Sequence, residues 1–270
     1  MITLKIGGVP EYFNYPIIRG IDQGIFQNIG IDLQWVDVKQ GTGKMAEDLQ
    51  QGHLDLAVIL TEGIIKSIKD GSSATLLHTY VESPLQWGIY VPANSDIKHV
   101  MDIKSPTFAI SRMGSGSHLM GLLFSKKNGW DSTIINFRVV HELNGAVEAL
   151  TNGDANIFLW ERYTTEFKVD DGTFRLLDIF PTPWPCFQLA ASDMSIKKYG
   201  NFISQTFLNG LLESVKSSLG STEFKREIAD RYNLPYELVN MLYPVTKWNT
   251  QLKTLSIQAV KQVTDLLTSL

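Results

Sequence analysis

Residues 106–121 read PTFAISRMGSGSHLMG, and the reading of this stretch decides the fold. Thr107 to Ile110 is a short, apolar, β-prone run that stops at Ser111-Arg112. Gly114-Ser115-Gly116-Ser117 then leads into Leu119, Met120, Leu122, Leu123 and Phe124, which form the buried side of a helix. This order of strand, small-residue turn and helix aims free backbone N–H groups and the positive end of the helix dipole over the strand end. The glycines permit positive φ or close backbone approach, and the serines add hydroxyl donors and acceptors. A plain βα connection, with Ser115 or Ser117 capping its own helix, fits the same residues. The turn is no P-loop, because no Gly-Lys-Ser/Thr follows, and it is not a full G-x-G-x-x-G.

Outward from that turn the same rhythm repeats in both directions. Upstream, strands are predicted at 2–7, 31–38, 54–60 and 74–81. Between them lie helices carrying Ile17 to Ile25 and on to Gly30, from Gly41 to Gln51, and from Thr61 to Gly71. A strand at 87–91 leaves this first set. The alternation restarts with strands at 108–111, 134–139 and 155–160. A strand at 174–179 precedes Pro181-Thr182-Pro183-Trp184-Pro185-Cys186-Phe187, whose prolines enforce an extended path, and Gln188 to Ala191 resumes a strand. Helices are expected over 195–217, 221–232, 235–242 and 249–268, packing back on the first lobe. Strands and helices alternating at this spacing argue for doubly wound, mainly parallel sheets. Leu49-Gln50-Gln51-Gly52 before LDLAVIL echoes Leu150-Thr151-Asn152-Gly153 before ANIFLW, as two similar lobes require.

Composition narrows the function. The 270 residues are 44% hydrophobic and 19% charged, enough for two lobes with separate cores. A net charge of −4 carries no footprint for nucleic acid or an anionic membrane. Cys186 is the one cysteine, so an internal disulfide and a multi-cysteine metal cluster are excluded. The five histidines include no i, i+4 pair, and no apolar run is long enough to span a bilayer. No metal or cofactor is expected. Met1 leads directly into a strand with no secretory leader, so the chain reads as cytoplasmic, or as periplasmic or extracellular if a signal peptide has been removed.

Four stretches in order resemble a known family: LKIGGVPEYFNYPIIRGIDQGIFQNIGIDLQW, LQQGHLDLAVI, DIKSPTFAIS into GSGSH, and NGDANIFLWE. The chain resembles the type 2 periplasmic-binding-protein-like family of nitrate, sulfonate, taurine and thiamine-pyrimidine-precursor binders. It looks most like a stand-alone, leaderless group within it, given Met1 and PTPWPCF. The resemblance implies an α/β fold of two lobes, 1–85 with 189–270 and 86–188. It also implies hinges near 82–88 and 180–190 and a ligand clamped between the lobes at strand C-termini. An enzymatic branch, the fungal thiamine-pyrimidine synthases, uses a lysine and a histidine just after the third strand and a later cysteine cluster. LDLAVILTEGII has neither residue and Cys186 stands alone, so that chemistry is not expected and no catalytic residue is assigned.

The ligand-facing candidates follow from placement at strand ends. In the first lobe they are Glu11 and Tyr12 after the first strand, Thr42 opening a helix, and Thr61 and Glu62 ending the apolar third strand. Ser111, Arg112, Ser115, Gly116, Ser117 and His118 supply the second lobe's donors. Trp160 and Glu161 end the strand that matches LDLAVIL, and Trp184 sits in the second crossing. Three glutamates beside aromatics suit a small ligand with N–H donors and a flat face, an aminopyrimidine or other nitrogen heterocycle. They also predict a raised pKa for at least one of these glutamates. An anion binder of the sulfonate or nitrate type, using Arg112 and the GSGS turn in an uptake system with a membrane permease, is the alternative. An enzyme on the same fold with Glu62 or Glu161 as acid/base near His118 is a third.

Overall fold

The opening run ITLKIGG forms β1 (Ile2–Gly8), with Leu4 and Ile6 fully buried. It belongs to a computed structural model that describes residues 1–268. The described chain divides into two units, Met1–Ser83 with 184–268, and Pro84–Pro183.

In the first unit α1 (Tyr15–Asp22) starts with Pro16 in its first turn, where a missing N–H costs nothing. The expected single helix to Gly30 is broken. Gly24 adopts φ 72°, and α2 (Ile25–Asn28) begins afresh. β2 (Ile31–Asp37), α3 (Thr42–Gln51), β3 (Leu56–Leu60), α4 (Thr61–Lys69) and β4 (Ala74–Val81) follow. In the second unit β5 (Gln86–Pro92), β6 (Thr107–Ile110), α5 (Gly116–Lys127) and β7 (Asn136–Val139) lead to α6 (Leu143–Thr151). β8 (Ile157–Glu161), α7 (Glu166–Asp170) and β9 (Phe174–Pro181) complete it. The predicted start of β7 at Ile134 falls instead in a 3-10 turn, Ser132–Ile134, where Asp131 accepts from the Thr133 N–H at 2.8 Å.

The chain then re-enters the first unit as β10 (Phe187–Ser192) and α8 (Asp193–Phe202), followed by a π-helical turn at Ile203–Phe207. α9 (Leu208–Leu219), α10 (Phe224–Tyr232), α11 (Tyr236–Leu242) and α12 (Ile257–Thr268) end it. The helical block packs on its own unit. α9 lies so close to α1 that a Cβ on Gly20 would stand 2.0 Å from Ser214 Oγ, and Arg19 Nε reaches Glu227 Oε2 of α10 at 2.7 Å. The last helix starts at Ile257 rather than near 249, because Asn249 ties the chain down. Its amide donates to the carbonyls of Thr79 (2.7 Å) and Lys253 (2.8 Å), and its oxygen accepts from the Gln251 N–H (2.9 Å). An asparagine satisfying its neighbours' backbone in this way competes with helix.

The two sheets share one plan. The first has strand order β2-β1-β3-β10-β4 and the second β7-β6-β8-β5-β9. Four strands of each run one way, and a single antiparallel strand, β10 or β5, lies second from one edge. The echoed segments LQQG and LTNG occupy equivalent places. Each closes a helix ahead of the central strand at a glycine of positive φ, 71° at Gly52 and 78° at Gly153. Ala57 and Ile59 of β3 pack with Met45, Leu49 and Ile64 in one core; Phe158 of β8 packs with Tyr90, Ala146 and Leu150 in the other.

Candidate functional site

Because β1, β2 and β3 run the same way, the residues that follow them emerge along one edge of the first sheet. Glu62, in the first turn of α4, is wholly buried there. The Trp184 indole N–H donates to its Oε2 at 2.8 Å, while Oε1 is buried with no hydrogen-bond partner among the described residues. Burial in this setting pushes the Glu62 carboxyl up to about 7; its own backbone N–H and the Trp184 indole pull the other way and lose. The raised pKa expected for at least one of the three glutamates is therefore found here, and burial raises Glu161 as well.

Thr61, equally buried, works inward. Its amide N–H donates to the Cys186 carbonyl (3.0 Å), and its hydroxyl donates to the carbonyls of Pro185 and, at 3.2 Å, Cys186. The same hydroxyl accepts from Gln188 Nε2 at 2.9 Å, and Gln188 in turn accepts from the Thr79 hydroxyl at 3.1 Å. Thr61 thereby pins the segment that carries Trp184. Thr42 is the first residue of α3 and does not cap it: Gly41 is the N-cap, with no side-chain cap bond. Its methyl instead lies against the bare face of Gly63, where a Cβ would stand 2.0 Å from Thr42 Cγ2. Glu11 and Tyr12 follow β1; Tyr12 is buried, with its hydroxyl 3.2 Å from the Thr246 hydroxyl. Phe13 beside them stacks on Phe187 at 4.0 Å.

The second unit repeats the layout, since β6 and β8 are parallel neighbours. After β6, Gly114 takes φ 76° and Ser115 is the N-cap of α5, its hydroxyl accepting from the His118 N–H at 3.3 Å. Ser117 Oγ accepts from the Ser111 N–H (3.0 Å) and lies 3.0 Å from Ser115 Oγ; His118 Nδ1 accepts from the Gly114 N–H (3.0 Å). The polar groups of Ser111, Ser115, Ser117 and His118 thus build the turn around Gly116. Substituting Ser115→Ala should lower the stability of the protein by about 1 kcal/mol, the usual cost of losing a serine cap, read as a fall in melting temperature. Burial depresses the pKa of both His118 and Arg112. Glu161 is buried at the end of β8 and accepts from the Thr164 N–H at 2.6 Å; Trp160 stacks on Phe158 at 5.3 Å.

Three buried polar residues escaped the sequence reading. Asn14 Oδ1 and Trp87 Nε1 have no partner among the described residues, and Gln188 joins the Thr61 network. A lone asparagine inside the apolar run YFNYPII was the available signal for Asn14. Among the described residues no helix is long and apolar enough to cross a membrane, and no group of three His, Cys, Asp or Glu side chains is placed to hold a metal.

Comparison with known proteins agrees with this architecture. Residues 87–178 match the sequence family described as Ca3427-like PBP. No curated protein matches the sequence. The fold is similar to that of the Candida albicans CA3427 gene product, described as defining a new family with the generic periplasmic binding protein fold. That match has TM-score 0.92 and 23% identity, over 100% of this chain and 91% of that one. The alkanesulfonate-binding protein SsuA from Xanthomonas axonopodis pv. citri, bound to MOPS, follows at TM-score 0.80 and 19% identity (100% and 93% covered). The periplasmic aliphatic sulphonate binding protein SsuA from Escherichia coli gives 0.75 and 20% (100% and 92%). With two five-stranded α/β units of one plan and these matches over its whole length, the chain has the two-lobed type 2 periplasmic-binding-protein fold.

Proposed function

We propose that the protein is a solute-binding protein, not an enzyme, and that its ligand is a small, flat molecule bearing N–H donors, of the nitrogen-heterocycle class. One observation carries the reading: Glu62 is buried with one oxygen held by Trp184 and the other unpartnered. A buried acceptor left open costs about 1–3 kcal/mol, which a ligand N–H recovers on binding. Thr42 and Tyr12 stand at the same sheet edge, and in the second unit Arg112, Trp160 and Glu161 do so at theirs. The sulfonate-binding relatives favour a second reading, an anion bound at Arg112 and the β6–α5 turn and passed to a membrane permease. Two features weigh against it. The turn's serines bond one another, and the buried Glu161 carboxyl in the same unit repels an anion whenever it is ionised.

A thermal-shift panel of aminopyrimidines, thiamine and its phosphates, pyridoxal phosphate, taurine, alkylsulfonates and nitrate tests the choice. A ligand at a hundred times its dissociation constant adds about 2.7 kcal/mol, a rise of several degrees. Shifts with heterocycles alone are expected; shifts with sulfonates alone would transfer the site to Arg112 and the turn. Chemical change in a bound ligand would make the protein an enzyme.

A further inference from the structure

Trp87 is the second residue of β5 in the second unit. It lies on β5 directly opposite Glu161 of β8 on one side and Phe180 of β9 on the other. Residues directly opposite in antiparallel strands share a face, with Cβ atoms about 5 Å apart. Phe180 meets Phe124 of α5 edge-on at 5.4 Å, so this row of three faces the helix that the GSGS turn begins. Glu161 ends β8, so the row also stands at the sheet edge where that turn emerges. Trp87 is 5% exposed, and its indole N–H has no hydrogen-bond partner among the described residues. A buried indole N–H ordinarily finds an acceptor, and leaving one unmade costs free energy. Glu161 does not serve it: that carboxyl is turned to the Thr164 N–H.

We infer that Trp87 is a ligand-anchoring residue that donates its indole N–H to a neutral acceptor of the solute, a carbonyl oxygen or an unprotonated ring nitrogen. The inference rests on the solute-binding reading and refines its ligand class. A sulfonate or carboxylate oxygen would accept the same bond, but it would lie beside the Glu161 carboxyl and meet repulsion whenever that group is ionised. A molecule with a ring nitrogen or a carbonyl, as aminopyrimidines have, satisfies the open donor of Trp87 without charge.

Protein labelled with 15N at the tryptophan indoles is titrated with 4-amino-2-methylpyrimidine and with ethanesulfonate, and Trp87→Phe assigns the Trp87 signal by its absence. The expected result is a downfield shift of that signal with the pyrimidine, and an affinity roughly tenfold lower in Trp87→Phe. Because the shift is read in the unaltered protein, it stands even if the variant is destabilised. Binding of the pyrimidine with the Trp87 signal stationary would overturn the inference and leave the solute reading intact. A shift with ethanesulfonate alone would overturn the neutral-acceptor assignment. Binding of neither would fell the heterocycle reading and this inference with it.

Discussion

Replacing Glu62 by Gln should flatten the pH dependence of stability while cutting ligand affinity by roughly tenfold to a hundredfold. The stability effect follows from the carboxyl's pKa, near 7 when folded against 4.5 as the unperturbed value. Below pH 4.5 both folded and unfolded chains hold the proton, and burial of the neutral acid carries no ionic penalty. Between 4.5 and 7 the unfolded chain releases its proton first, so stability falls as pH rises; above 7 the whole penalty is present. The difference in unfolding free energy between wild type and Glu62→Gln should therefore change by about 3 kcal/mol between pH 4 and pH 8. Any constant cost of the buried amide cancels from that comparison. The affinity loss has a separate origin. The amide oxygen of Gln can keep the Trp184 bond, but its NH2 then faces the ligand N–H, removing a charge-assisted hydrogen bond of about 1.5–3 kcal/mol. Urea unfolding at several pH values and binding isotherms read the two effects. Parallel pH curves for the two proteins would show that the Glu62 pKa is not raised.

Thr61→Val should be the most damaging isosteric change at this edge, costing about 3 kcal/mol. The shape is retained, but Gln188 Nε2 and the Pro185 carbonyl lose their partner in a buried setting, at about 1–3 kcal/mol for each unsatisfied group. The effect should extend to binding, because the freed segment carries Trp184, the partner of Glu62. A lower urea midpoint at unchanged slope, with weaker ligand binding, is expected. A change under about 0.5 kcal/mol would mean that the network is dispensable.

Much of this was legible in the chain, for a physical reason. LAVIL is wholly apolar and runs straight into a helix, and FAI closes on the small-residue turn GSGS, so strand and helix follow from local pattern, and β/α alternation sets the class. The repeat LQQG/LTNG was visible because each lobe needs the same left-handed glycine before its central strand. Glu62 was found because an acid directly after an apolar strand is conspicuous. Trp184 was named as well, but not its bond to Glu62, since the two lie 122 residues apart and only the crossing of the chain brings them together. The serines of GSGS show the limit of motif reading: identical residues serve a ligand or cap their own helix, and bonds such as Ser117 Oγ to the Ser111 N–H arise only in the folded turn. Asn249 misled in the same manner, its side chain replacing the helix that composition suggested. Trp87 looks like any core tryptophan in sequence; only burial without an acceptor distinguishes it.

The most direct measurement is the titration of the Glu62 side-chain carboxyl by 13C NMR, assigned through Glu62→Gln, without ligand and with the aminopyrimidine that gives the largest thermal shift. The account predicts a midpoint near 7 in the free protein. It also predicts a lower midpoint in the complex, because a ligand N–H favours the ionised carboxylate. A midpoint near 4.5 that ligand does not move would contradict it.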